Sequence, residues 1–202
     1  MLYNKVLNDS DREFYRPLIN KMFQLCPDLM NRKPSRANVQ QAFVLDTILK
    51  LTTQNSKILS VGCYEDSAYF SLQAMKYNIF GIDPVYNYNL HEYYLNNKTQ
   101  FDIIFSTSVI EHVENDVQFL DEICKMLICG GYGILTCDFW EDQPKNCNTK
   151  FYKKHDLECR LGDILSDNGC KFLDSPNWVG APDFDWDIYR YSFATMVFSK
   201  DK

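Results

Sequence analysis

Four short apolar runs constrain this chain more than anything else in it. They are "KILSVG" at 57–62, "NIFGID" at 78–83, "FDIIFSTS" at 101–108 and "YGILTCDF" at 132–139. Each is too short for a stable helix and apolar nearly throughout, as a strand covered on both faces must be. Helical patterns separate them. Residues 66–77 follow the first run. In 114–128, "ENDVQFLDEICKMLI", the spacing places Val117, Leu120, Ile123, Cys124 and Leu127 on one face, and Gly130 and Gly131 read as the stop of that helix. Strands alternating with helices predict a mostly parallel sheet flanked by helices. Two last runs, "CKFLDS" and "YSFATMVFSK", have no helix between them, which predicts an antiparallel hairpin at one edge. The expected class is α/β, a Rossmann-like doubly wound sheet.

Helical spacing also marks residues 9–31, with Pro27 ending or splitting that element, then 36–50 and 155–168, the last closed by Gly169. This predicts an N-terminal helical segment, 1–35, forming part of a substrate cover, and a main domain, 36–202.

No apolar run approaches the ~18 residues of a membrane span, and the first residues lack the apolar stretch of a signal peptide. The eight cysteines form no C-x-x-C pair and sit mostly in apolar patterns, so they read as thiols of a reducing cytoplasm. Residues 1–57 hold nine Lys or Arg against five Asp or Glu, whereas the remainder holds twelve against twenty-two. Such an acidic body argues against nucleic-acid binding, which needs a basic face. The basic segment is a solvated helical face or a contact for an anionic substrate.

The turn after the first strand decides the function. In "ILSVGCYEDSAYF" only Gly62 is glycine, and Tyr64, Glu65 and Asp66 fill the rest. The second strand ends in "GIDP". A nicotinamide-binding turn wants G-x-G-x-x-G, and Gly62 stands alone. Taken together, "ILSVGCYED", "GIDP", "FDIIFSTSVIEHVEND" and "LICGGYGILTCDF" resemble successive motifs of the class I S-adenosylmethionine-dependent methyltransferases of the small-molecule type. The resemblance runs through roughly residues 36–200. It departs from the pattern at Ser60, where an acidic residue is usual, and at Tyr64 and Asp66, where glycines are. The third strand must also be rudimentary, because few residues separate Asp83 from Phe101.

The resemblance implies S-adenosylmethionine as cofactor, held by Gly62, Cys63, Tyr64, Asp66, Asp83, Pro84, Asn89, Leu90, Ser106 and Thr107. Asp83 would accept the ribose hydroxyls, its other reading being a structural cap. Tyr64 would wall the cofactor or else fill its place. Asp66 would hold the amino group of the methionine part, and Asn89 and Leu90 would meet the adenine.

His112 and Asp138 are the catalytic candidates, as bases at the ends of the strands. Glu111 beside His112 makes a poor chelate, so no metal is expected. The stretch "NWVGAPDFDWDIYRY" interleaves aromatics with Asp183, Asp185 and Asp187. Trp178, Asp185 and Trp186 read as a wall for a small acceptor such as a sugar or glycan precursor. The alternative is an inactive methyltransferase-like binding domain. The oligomeric state is left open.

Overall fold

The computed structural model describes residues 2–143, 149–186 and 189–201, with the backbone alone for Trp186. Strand β1 (Val6–Leu7) precedes helices α1 (Asp11–Leu25), α2 (Pro27–Arg32) and α3 (Ala37–Leu51). The alternating part follows: β2 (Ile58–Val61), α4 (Ser67–Ala74), β3 (Ile79–Ile82), α5 (Leu90–Asn96), β4 (Phe101–Thr107), α6 (Asp116–Met126) and β5 (Leu127–Phe139). A π-helical turn at Asp156–Leu161 runs into α7 (Gly162–Asp167). Then come β6 (Cys170–Phe172), β7 (Phe184–Trp186) and β8 (Tyr189–Lys200).

The sheet order is β3-β2-β4-β5-β8-β1, with β6 and β7 also paired to β8. Strands β2 to β5 are parallel. β8 is antiparallel to β5 over eight residue pairs, from Tyr132↔Ser199 to Phe139↔Ser192. The expected closing pair is therefore present, but β8 lies inside the sheet and β6 at its edge (Cys170↔Lys200).

Alternation along each strand feeds two cores. Ile58, Ile103, Phe105, Ile134 and Val197 face α1, α3 and α4, while Leu59, Ile104, Leu135, Met196 and Phe198 face α5, α6 and α7. That is why the runs are apolar at consecutive positions.

Pro27 does split the first helix. It stands at the first position of α2, where its missing N–H costs nothing. Tyr15, Ile19, Met22 and Met30 share one core with Phe43, Val44 and Ile48 of α3, so residues 6–35 are built into the same body. The edge strand β1 went unread in the sequence. It is tied down by buried Asn4, whose amide accepts from Val197 N–H (2.7 Å) and donates to Val197 C=O (3.0 Å), imitating a strand partner.

Two expectations need correction. Gly130 and Gly131 do not stop a helix. α6 ends at Met126, and Leu127 already pairs with Phe101. Gly130, at φ +78°, lies in the stretch of β5 where the register against β4 shifts between Phe101 and Ile103. The short stretch between Asp83 and Phe101, expected to hold a rudimentary third strand, holds a helix instead, α5. Its start is a capping box in which Asn89 Oδ1 accepts from Glu92 N–H (2.9 Å) and Glu92 Oε2 accepts from Asn89 N–H (3.1 Å). Among the described residues no third parallel strand follows β3, which leaves β3 as an open edge.

Asp116 at the start of α6 pins the far side of the sheet. Its carboxylate accepts from Arg160 Nη1 (2.7 Å), Tyr152 OH (2.7 Å) and Lys150 Nζ (3.0 Å). These donors hold it well below the usual carboxylate range, against the opposing effect of burial. Among the described residues no helix is long and apolar enough to cross a membrane.

Candidate active site

A cleft of about 950 Å³ opens at the carboxyl ends of β2, β3, β4 and β5. Ligands of open parallel sheets bind at these ends, because the loops diverge there.

The turn after β2 forms its floor. Gly62 sits at φ +85°, and a Cβ there would meet Val109 Cγ2 at 2.3 Å. Glycine is thus demanded by the chain's own packing as well as by any close ligand. The N–H groups of Gly62 and Cys63 both donate to Ile82 C=O, at 2.8 and 3.2 Å. This points the Cys63 side chain away from the cleft. It is buried, its Sγ would lie 2.7 Å from a Cβ on Gly81, and burial pushes the thiol up to about 11. Cys63 therefore packs β3 rather than touching a cofactor.

Tyr64 stands at the rim, 43% exposed, edge-on to Tyr86 at 5.2 Å. It borders the cleft and does not plug it. Asp66 is on the wall but already employed: its Oδ1 caps α4 by accepting from Tyr69 N–H (2.8 Å), and Oδ2 accepts from Gln41 Nε2 at 3.4 Å.

Asp83, just past β3, takes the structural role of the two that the sequence offered, as a cap for the neighbouring turns. Oδ1 accepts from Val85 N–H (2.9 Å) and Oδ2 from Tyr64 N–H (3.1 Å). Each oxygen keeps a second lone pair, and the carboxylate borders the cleft. The backbone bonds fix its orientation. Pro84, Asn89 and Leu90 also line the wall. The Asn89 side chain is spent on its capping box, so it offers an unseen ligand little.

At the end of β4, Ser106 turns inward and donates to Val61 C=O at 2.9 Å, so it locks β2 to β4 and does not face the cleft. Thr107 does face it, and its Oγ1 is buried with no hydrogen-bond partner. Ser108 follows at φ +51°, a strained conformation for a residue with a side chain. Its N–H donates to Thr136 C=O (3.0 Å) and its Oγ to Gln40 Oε1 (2.9 Å). Strain of this kind, held by hydrogen bonds, is a hallmark of functional loops.

His112 and Asp138 both line the cleft. Burial, and then the Lys150 cation, lowers the His112 imidazole below its ordinary value. Asp138 lies beside Glu111, whose Oε1 accepts the Asp138 backbone N–H at 3.1 Å. Glu111 Oε2 is buried without a partner. Burial raises both carboxyl groups far above the usual range. The Asp138 charge raises Glu111 further, while Glu111 as a nearby donor and the Arg36 cation favour the ionised form of Asp138. Among the described residues no three His, Cys, Asp or Glu side chains are grouped to hold a metal ion.

The acceptor-side reading needs revision. Trp178 is core: Nε1 donates to Thr195 C=O (2.9 Å) and the ring packs on Phe172 at 5.3 Å. Asp185 is exposed and faces Arg190 at 3.4 Å. Trp186 pairs with Tyr189 in the β7–β8 hairpin, and its side chain, like all of Asp187, lies outside the described residues. The end of this stretch does reach the cleft, through Tyr191 and then Phe193.

Gln40 and Gln41 were missed. Gln40 Oε1 gathers Ser108 Oγ and Thr136 Oγ1 (2.8 Å), and Gln41 Oε1 accepts from Ala68 N–H (2.9 Å). The signal was available in "RANVQQAFVLDTILK": two amides inside an apolar helix must find polar partners when buried. His91, Gln118 and Glu122 cluster at the other end of the cleft, with Gln118 Nε2 2.9 Å from Glu122 Oε1. They arrive from α5 and α6, and the first of these helices had not been expected.

Residues 59–135 match the family described as "Methyltransferase domain". No curated protein matches the sequence. Solved structures do. TehB from Haemophilus influenzae is 15% identical with a TM-score of 0.54, over 78% of this chain and 61% of that one. A TehB-like S-adenosylmethionine-dependent methyltransferase from Corynebacterium glutamicum is 15% identical with a TM-score of 0.56, over 94% of this chain and 99% of that one. The 1,6-didemethyltoxoflavin-N1-methyltransferase of Burkholderia thailandensis, solved with 1,6-didemethyltoxoflavin and S-adenosylhomocysteine, is 10% identical with a TM-score of 0.57, over 94% of this chain and 88% of that one. At such identities the likeness is one of fold. The matched segment runs from β2 to β5, the strands that build the cleft; there the chain is similar to the methyltransferase domain, and its fold is the one these S-adenosylmethionine-dependent methyltransferases share.

Proposed function

We propose that the chain transfers a methyl group from S-adenosylmethionine to a small-molecule acceptor, with Asp138 receiving the proton that the acceptor loses. The observation that carries this reading is the convergence of Gly62, Asp83, Thr107 and Asp138 on one cleft. Its volume, about 950 Å³, is near the top of the roughly 300–1,000 Å³ usual for one ligand, which suits a cofactor beside a small acceptor.

The residues fit the cofactor. Gly62 leaves the floor without a Cβ, Asp83 offers two oriented oxygens to a diol, and the unpartnered Thr107 hydroxyl offers a further polar contact. When bound, S-adenosylmethionine supplies a methyl group already activated by its sulfonium. The protein's part is then to hold two reactants in line and to manage one proton. Ser108 and Gln40 keep the β4 and β5 ends in a fixed relation, and Asp138 stands at the second of them. We propose residues 1–35 as part of the cover over the acceptor, through Pro34 on the cleft wall. The seven described cysteines are free thiols, which supports a cytoplasmic setting. A sugar or glycan acceptor is not carried forward, since Trp178 and Asp185 have other roles.

Calorimetry with S-adenosylhomocysteine tests the cofactor half. Asp83→Ala should weaken binding by about 1–3 kcal/mol, or roughly 5- to 150-fold, by leaving the ribose hydroxyls unpaired. Equal affinity in a folded variant removes Asp83 from that role. Tyr64→Gly should keep or slightly weaken affinity, because the ring flanks the cleft. A large gain in the same titration would show that Tyr64 obstructs the site and would revive the inactive-domain alternative.

A further inference from the structure

We infer that the methyl acceptor carries an oxyanion, a carboxylate or a phosphate monoester, and that the terminal fork of Arg36 holds it. The inference rests on the proposed methyl transfer and names the substrate class of that site. Arg36 lies immediately before α3, half-buried on the cleft wall. Its Nε donates to the Tyr191 hydroxyl at 3.2 Å, which fixes the guanidinium plane. Among the described residues its two Nη groups make no hydrogen bond and Arg36 forms no ion pair. Other cations of the chain do find carboxylates: Lys5 meets Asp11, Arg160 meets Asp116, and Arg190 meets Asp183 and Asp185. A planar cation drawn partly out of water, with its fork unspent, matches a two-oxygen anion.

Asp138 feels the Arg36 cation, but no ion pair joins the two, and its carboxyl is engaged with Glu111 instead. Position separates this anion from the cofactor. Arg36 works with Tyr191 and Asp138 at the β5–β8 end, whereas Lys33 is the cation beside Asp66 and Glu65 at the turn after β2. An acceptor anchored on Arg36 therefore sits against Asp138, where its nucleophilic atom can lose a proton. Tyr191 is the positioning residue: it touches Arg36 and sets the direction of the fork.

The test uses the full chain saturated with S-adenosylhomocysteine. Inorganic phosphate and benzoate are titrated in separately, with chloride holding ionic strength constant, and calorimetry and the thermal midpoint are read. At least one oxyanion should bind the wild-type complex. Arg36→Gln should weaken it by about tenfold or more, and Arg36→Lys by less, because a point charge replaces the fork. Tyr191→Phe keeps the ring and should weaken it by about threefold. S-adenosylhomocysteine affinity should stay within about threefold throughout. Phosphate binding without benzoate assigns a phosphate monoester, and the reverse a carboxylate. The inference is overturned if neither anion binds the saturated complex, if wild type and Arg36→Gln respond alike, or if Arg36→Gln loses S-adenosylhomocysteine itself. Wild-type protein that binds no S-adenosylhomocysteine would overturn the cofactor reading and this inference together.

Discussion

Asp138→Asn is expected to cut turnover by about 10²–10⁴-fold, the usual worth of a positioned base, with S-adenosylhomocysteine affinity unchanged within about threefold. The amide has nearly the same shape, so the cleft survives while proton acceptance is lost. The pH profile of the wild type carries the same information. Asp138 must be ionised to act, and burial raises its pKa, so activity should appear only as pH climbs well above the ordinary carboxylate value near 4. The groups around it are Glu111, Arg36, Tyr191, His112 and Cys137. Glu111→Leu removes a neighbouring donor that favours the ionised form and should move the rising limb to higher pH. Glu111→Gln keeps a donor and should leave the limb near its place. Labelled methyl transfer to an oxyanion-bearing acceptor, followed across pH 5–9, measures all three. Full activity in Asp138→Asn would show that the acceptor reacts without a base.

Asp116→Ala should be the most destabilising single change in the region around α6, by about 3 kcal/mol. Three donors converge on one nearly buried carboxylate, and removing it leaves Arg160, Lys150 and the Tyr152 hydroxyl facing one another. Breaking a fully buried pair costs about 3–5 kcal/mol. Lys150 and Arg160 remain more than a third exposed, which keeps the expectation at the low end. For a chain of this size the thermal midpoint should fall by about 6–12 °C. The sign of the pH dependence follows from the depressed pKa of Asp116. Its contribution is complete above the unfolded value near 4 and is lost as pH falls through the folded value. The gap between wild type and Asp116→Asn should therefore be widest near pH 7 and shrink in strong acid, as thermal melts at both pH values would show. A constant gap would mean that packing, not charge, explains the loss.

The sequence revealed what local pattern dictates. Runs such as "FDIIFSTS" are apolar at consecutive positions because both faces of β4 are covered, and their alternation with helical patterns identifies a sheet flanked by helices. Gly62, Asp83 and Asp138 were legible because each stands at the end of such a run. What escaped was set by distant partners. A two-residue strand such as Val6–Leu7 has no periodicity to detect, and its place depends on Ala194 and Phe193. Trp178 looked like a sugar platform because aromatics and acids alternate nearby, yet its ring is claimed by Phe172 and its N–H by Thr195. Cys63 sits in the right turn but points the wrong way, a fact fixed by the Ile82 carbonyl that gathers two successive N–H groups. Arg36 and Tyr191 are 155 positions apart, so nothing local joins them.

The edge pairing of β1 with β8 has a consequence in time. Val6 and Leu7 meet Ala194 and Phe193, and Asn4 clasps Val197, so residues 4–7 wait for partners about 190 positions later. During synthesis β2, β3, β4 and β5 can assemble while β8 is still to come, and α1 to α3 can dock on them. The strap over β8 closes only when residues 193–197 have emerged. Contacts this far apart are made late, because their loop-closure entropy must be met before they contribute anything. The cleft floor can thus form early, whereas the Tyr191 side of the cleft is completed last, along with the whole outer edge.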